Sequence, residues 1–358
     1  MKKLRVGVIG CGMISDTYIN NCKNIFKNIE IVSCADLAEE KSAEKAAEYG
    51  IKNTSAEALI ADDGIDAVLN LTIPAAHYEI SKKSLEAGKH VYCEKPLALN
   101  ATEGLALTEL AAEKGLRIGC APDTFLGSGL QTAAKLIDNG CIGKPIGVNA
   151  AFLSVGPEAV HSAPEFFYQK GGGPLFDMGP YYITALISLF GAVNGVIGVA
   201  KTTYPERKIL TPERYGEAFP VETPTHIVSV LDFDCGVTAT LTTSFDTVYP
   251  YMSSIEIYGS EGSLSVPDPN KFGGPVKIRR GGELTEVPLI GDLTENLRGL
   301  GLSDMADSII NNRQARADGG LALHVLEVMS GILDSGETGA LRHMQYKCDR
   351  PQRFVNNF

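Results

Sequence analysis

Residues 4–15 read Leu4-Arg5-Val6-Gly7-Val8-Ile9-Gly10-Cys11-Gly12-Met13-Ile14-Ser15, and this stretch decides the fold. An apolar run of strand length ends on Gly10, and a segment of helical period opens at Met13. Between them lies G-x-G-x-x-S. Gly10 permits the tight turn, Gly12 lets backbone amides approach a pyrophosphate, and the small Ser15 keeps the helix close to the sheet. The helix N-terminus, with Met13 and Ile14, supplies the positive dipole end for phosphate. The stretch predicts a dinucleotide site.

Outward from it, apolar strands at Ile31–Ala35, Ala67–Thr72, His90–Glu94 and Arg117–Ala121 alternate with helices from Met13, Ala38, Ala75 and Ala101. Such strands joined by helices predict a doubly wound parallel sheet over residues 1–122. After Pro122 comes one helix, Gly129–Asn139. Alternating strands follow at Ile146–Val155, Gly195–Tyr204, Ile227–Phe233, Val237–Phe245 and Ser253–Tyr258. Residues 123–358 therefore read as an α+β domain on a large, mostly antiparallel sheet, closed by helices at Asn296–Asn312 and Leu321–Ser335, and are expected to be the substrate-binding and oligomerisation domain on the grounds given below. The proline-rich segment Pro205–Pro224 reads as a loop or arm.

Bulk properties narrow the class. Net charge is -11 over 358 residues, which argues against nucleic acid as the partner, and no apolar run is long enough to span a membrane. The eight cysteines are scattered without C-x-x-C spacing, which suits reduced thiols and no metal site. Lys2 and Lys3 run directly into the first strand, leaving no room for a cleaved leader. The expectation is a cytoplasmic protein.

Asp36 follows the second strand, where an acid hydrogen-bonds ribose hydroxyls and repels a 2′-phosphate, so NAD is expected over NADP. It also suits a cap for the helix near Ala38, and both roles can hold. Thr72, Pro74 and His77 stand at the end of the next inner strand on the nicotinamide side, His77 behind the contact layer. Glu94-Lys95-Pro96 ends another strand and puts an ammonium at the crevice edge. Asp177 and Tyr181 are four residues apart, so on one helix they share a face.

The motifs G-C-G-M-I-S, Asp36, T-I-P-A-A-H, E-K-P-L and the G-G-G-P-L-F-D-M-G-P-Y segment from Gly171 together resemble the glucose-fructose oxidoreductase and inositol dehydrogenase (Gfo/Idh/MocA) family across essentially the whole chain. The resemblance implies that Lys95 faces substrate and nicotinamide, that Asp177 enters the substrate site, and that the open sheet face pairs subunits into a homodimer or homotetramer. Many members carry histidine where Tyr181 stands; a D-x-G-x-Y variant resembles the branch in which the tyrosine is the acid/base. The expected reaction is hydride transfer between NAD and a secondary alcohol of a sugar, sugar derivative or cyclitol. Tyr181, assisted by Lys95, whose ammonium favours a phenolate, takes the hydroxyl proton. Lys95 as base is the alternative. Asp123 and His161 are further substrate candidates, with Thr124, Arg298 and His324 behind them. Two other classes stay open: an epimerase, lyase or glycosidase using bound NAD for transient oxidation, and a non-catalytic dinucleotide sensor.

Overall fold

The first strand, β1 (Leu4–Ile9), buries every residue but Arg5, as a strand covered on both faces must. The structure is a computed structural model that describes residues 3–248, 250 and 254–354. After β1 come α1 (Met13–Asn24), β2 (Ile29–Ala35), α2 (Glu39–Tyr49), β3 (Lys52–Asn53), α3 (Ala56–Ala61), β4 (Ala67–Asn70), α4 (Pro74–Glu86), β5 (His90–Cys93), α5 (Ala101–Glu113) and β6 (Ile118–Cys120). The six strands lie in the order β3-β2-β1-β4-β5-β6, and every pair is parallel. The chain winds outward from β1 to β3 and then returns to β4 on the other flank of β1. The order reverses between β1 and β4, the switch point outside whose carboxyl ends open α/β sheets bind ligands. Two elements escape the periodicity reading because they are short. β3 has two residues, and α3 has six, its start capped by Ser55 accepting from the Ala58 amide at 3.2 Å.

A second unit runs through α6 (Ser128–Asp138), β7 (Pro145–Leu153), α7 (Gly173–Phe190), β8 (Val193–Lys201), β9 (Glu206–Lys208), β10 (Ala218–Pro220), β11 (His226–Phe233), β12 (Thr238–Ser244), β13 (Ile255–Gly259), β14 (Ser263–Val266), β15 (Val276–Arg280) and β16 (Glu283–Val287). The predicted strand at Ser253–Tyr258 is seen from Ile255; Ser253 lies outside the described residues. Nine strands form one sheet, antiparallel except where β7 and β12 run together. The turns at 233–236 and 259–262 close the hairpins β11–β12 and β13–β14. One face packs on α7. The other leaves Ile197 opposite Val230 and Val199 opposite Val228, all partly exposed. The arm at 205–224 carries a small ribbon, β9 paired with β10.

Two helices and a strand close the chain: α8 (Leu300–Ile310), α9 (Gly319–Thr338) and β17 (Arg342–His343). The unit built on the parallel sheet comprises Met1–Gly127, Leu293–Leu326 and Pro351–Phe358; the other comprises Ser128–Asp292 and Glu327–Arg350. A single cut after residue 122 thus describes the first sheet but not the return of the chain to it. The return is bonded in place. Asn21 Nδ2 donates to the Asn296 and Arg298 carbonyls, each at 2.9 Å, and Asn28 Nδ2 donates to the Ser303 carbonyl at 2.9 Å.

The arm is held by buried charge. Arg207 Nη1 lies 3.1 Å from Glu158 Oε1, and its Nη2 also pairs with Asp246. Glu158 in addition accepts from Tyr168 Oη at 2.7 Å, and Asp246 from Thr225 Oγ1 at 2.7 Å. The two carboxylate side chains are only 4% and 6% exposed. Removing the guanidinium leaves both charges buried without a counter-ion. We expect Arg207→Ala to cost about 3 to 5 kcal/mol in urea unfolding; a loss below about 1 kcal/mol would contradict this account.

Candidate active site

The glycine turn is dictated by close approach. Gly10 has φ +103°, and a Cβ there would lie 2.5 Å from the Leu71 carbonyl carbon, so no other residue fits the turn where β1 meets the end of β4. A Cβ on Gly12 would meet nothing within 4 Å. No side chain or backbone therefore covers the turn just before α1. Ser15 is fully buried, and its hydroxyl donates to the Gly12 carbonyl at 2.6 Å. Asp36 braces the turn from β2: Oδ2 accepts from the Cys11 amide at 2.7 Å and Oδ1 from the Ala38 amide at 2.8 Å. Each carboxylate oxygen keeps a second lone pair for a ribose hydroxyl. Both sequence readings of Asp36 are therefore compatible with its position, although the residue capping α2 is Ala38.

At the end of β4, Thr72 Oγ1 and its amide donate to Asn70 Oδ1 at 2.7 and 3.3 Å. Ile73 then protrudes, 70% exposed, and Pro74 opens α4. His77 is fully buried. Its Nδ1 lies 2.6 Å from the Pro96 carbonyl and its Nε2 3.0 Å from the Thr72 carbonyl. Burial pushes the ring's pKa down. Toward a ligand the ring presents no atom, so any influence passes through those two carbonyls. Glu94, just past β5, is gripped by Tyr18 Oη at 2.8 Å and by the Lys95 amide at 3.0 Å. Lys95 itself is half-buried. Met13 is 81% exposed at the first position of α1, followed by a half-buried Ile14.

Asp123 is 1% exposed, and its Oδ2 accepts from the Gly299 and Gly301 amides, each at 2.9 Å. It caps the approach to α8. Burial raises its pKa to about 6 against the pull of those amides and of Arg298. Arg298 lies just before α8, with Nη1 donating to Asn296 Oδ1 at 2.8 Å, while Thr124 and His324 are buried.

In the second unit, α7 is eighteen residues long, and Asp177 is its one position that is not buried. A carboxylate there, in a helix otherwise packed on all sides, has a reason to be there beyond solubility. Tyr181, one turn on, is 8% exposed. Tyr182 is 2% exposed, packs on Phe152 at 6.4 Å between ring centroids, and has its phenol pushed up by burial. Gly172 and Gly173, at the start of α7, answer to the chain itself. A Cβ on Gly172 would lie 2.6 Å from the Phe167 carbonyl oxygen, and one on Gly173 2.8 Å from that of Pro224. No ligand is needed to explain them. His161 Nδ1 accepts from the Ala163 amide at 3.1 Å, and its ring stands edge-on to Phe166 and Phe167, 5.3 Å from each.

Sequence reading missed Tyr18 and Asn70, the groups that hold Glu94 and Thr72. Tyr18 sits on the buried face of α1 and carries no signal of its own. Asn70, a buried amide ending an apolar strand, is the detectable one.

Comparison with known proteins agrees with this architecture. Residues 4–121 match an oxidoreductase family with an NAD-binding Rossmann fold, and residues 130–265 match the GFO/IDH/MocA C-terminal domain. A myo-inositol 2-dehydrogenase of Thermotoga maritima is 27% identical over 73% of this chain and 74% of its own. A scyllo-inositol 2-dehydrogenase (NAD(+)) of Bacillus subtilis is 26% identical over 74% of each. A levoglucosan dehydrogenase, solved with NADH and levoglucosan, shares the fold with a TM-score of 0.82 at 21% identity, covering 96% of this chain and 99% of its own.

Asp123 generates a pH signature. Its folded pKa lies above the ordinary 3.8, so its contribution to stability is full below pH 3.8 and lost as pH rises through about 6. Asp123→Asn keeps an oxygen for both amides and removes the titration. Relative to the parent, the variant should gain about 2 kcal/mol between pH 4 and 7 in urea unfolding. A constant difference across that range would refute it.

Proposed function

The chain belongs to the Gfo/Idh/MocA family of NAD-binding oxidoreductases, and on that premise we propose that it is a dehydrogenase for a secondary alcohol of a sugar, sugar derivative or cyclitol. The observation that carries the reading is Asp177, the only position of α7 that is not buried, with Tyr181 one turn away on the same face. Gly10, Gly12 and Asp36, with the start of α1 at Met13 and Ile14, hold the dinucleotide, and Thr72, Pro74 and Glu94 border its nicotinamide end. NAD, when bound, accepts the hydride from the carbinol carbon.

The chain's own groups handle the proton. Tyr181 takes it from the substrate hydroxyl. Asp177 orients that hydroxyl as an acceptor, and Lys95 offsets the negative charge that grows on the oxygen. In the reverse direction the same groups protonate the alkoxide formed from a ketone. Inositol and levoglucosan dehydrogenases among the relatives support a polyhydroxylated ring as substrate. We further propose that the exposed strip Ile197, Val199, Val228 and Val230 seats a second copy of the chain in a homodimer or homotetramer.

A panel of inositols, monosaccharides and anhydrosugars with NAD, followed by absorbance of the reduced cofactor, tests the assignment. Net NADH formation is expected, and product formation without it would instead favour transient oxidation. With the active substrate, Lys95→Ala and Tyr181→Phe should each lose roughly 10²- to 10⁴-fold in kcat, while Tyr182→Phe changes little. An active Tyr181→Phe beside a dead Tyr182→Phe would put the chemistry on the wrong ring. In light scattering the parent should run as an oligomer, and Val228→Glu with Val230→Glu as a smaller species; a monomeric parent would sink the interface.

A further inference from the structure

We infer that His77 is a positioning residue for Lys95, holding the segment that carries the lysine against the end of the neighbouring strand. The inference rests on the proposed catalytic role of Lys95. The last ladder bond between β4 and β5 runs from the Glu94 amide to the Asn70 carbonyl at 2.8 Å. Beyond it the two chains diverge, to Thr72-Ile73 on one side and Lys95-Pro96 on the other. His77, one turn into α4, spans that gap, one ring nitrogen on each carbonyl, at 2.6 Å to Pro96 and 3.0 Å to Thr72. Asn70 fixes the span from below. Its Nδ2 donates to the His77 carbonyl and to Ser81 Oγ, both at 3.1 Å, while its Oδ1 receives Thr72. Asn70, His77 and Ser81 are all fully buried.

The chemistry of the span is specific to histidine. Both acceptors are carbonyls, and a neutral imidazole, the form that burial favours, has one N–H, so it donates to one carbonyl while its other nitrogen only lies beside the second. The shorter bond assigns a proton to Nδ1, facing Pro96. The charged groups facing the ring are Glu94 and Lys95, which act in opposite senses. A phenylalanine fills the same space and drops the N–H donor. Glutamine keeps an N–H donor.

Three measurements test this. First, in protein without added cofactor, reductive methylation with ¹³C-formaldehyde labels the lysines, and loss of one resonance in Lys95→Arg identifies Lys95. That resonance should shift or broaden in His77→Phe and return in part in His77→Gln; an unmoved resonance would overturn the inference. Second, with myo-inositol, or the panel member that reduces NAD, His77→Phe should lose roughly ten- to hundredfold in kcat, with KM for NAD within about threefold. Third, His77→Phe combined with Lys95→Ala should be no slower than Lys95→Ala alone. Multiplying losses would overturn the inference and leave Lys95 standing. Near-normal turnover in Lys95→Ala would instead remove the catalytic reading on which the inference depends. Should His77→Phe fail to fold, the same cycle is run with His77→Gln and read in the same way.

Discussion

The first unit depends on how closely the chain passes itself at Gly10. With a Cβ excluded by the Leu71 backbone 2.5 Å away, the turn after β1 presses against the segment leaving β4. The two strands between which the winding reverses therefore end side by side. Everything proposed for the cofactor follows from that contact. It leaves Gly12 facing open space at the start of α1, and it puts Asp36 where one carboxylate can hold the Cys11 amide and still offer lone pairs outward. Thr72 and Lys95 lie one and two strands along the same edge. A parallel sheet delivers these groups to one edge because every strand points the same way.

How much of this was legible in the sequence follows from the length of each signal. The strands at Leu4, Ile31, Ala67, His90 and Ile118 are short, largely apolar runs, and α1, α2, α4 and α5 appear within a residue or so of their expected starts. The two-residue β3 and six-residue α3 are shorter than any period can register. In the second unit, alternation located β7, β8, β11, β12 and β13, because one face of the sheet packs on α7 while the other stays open, but not the shorter β9, β10, β14, β15 and β16. It could not show that β7 and β12 run parallel, since pairing partners far apart in the chain leave no local trace. The return of residues 293–326 to the first unit was illegible for the same reason: it rests on side chains such as Asn21 meeting carbonyls more than 270 residues away.

The candidate site divides along a similar line. Gly10, Gly12, Asp36 and the Glu94-Lys95-Pro96 corner announce themselves because rare backbone geometry or strand-end position demands those residues. Asp177 stands out for the opposite reason, as a lone charge in an apolar helix. Asp123 was grouped with contact residues, and His77 set behind them, although a polar side chain near a crevice looks the same on paper whether it points out or in. Burial separates them. Asp123 spends its carboxylate on two amides and His77 its ring on two carbonyls. Gly172 and Gly173, at the start of α7, are explained by crowding from their own chain.

Asp123 also sets a timetable for synthesis. The carboxylate is made early, but the amides that receive it at Gly299 and Gly301 are up to 178 residues downstream. At ribosomal speed that interval is about 10 to 35 seconds. Arg316 then waits for the chain's last stretch, where its Nε donates to the Gln352 carbonyl at 3.0 Å and its guanidinium lies over Phe354 at 5.1 Å. The nascent first unit therefore leaves the ribosome with a buried-type carboxylate uncapped and its closing helix missing. A fragment ending near residue 127 keeps the strands of the parallel sheet and Asp123 but lacks the Gly299 and Gly301 amides that receive its carboxylate.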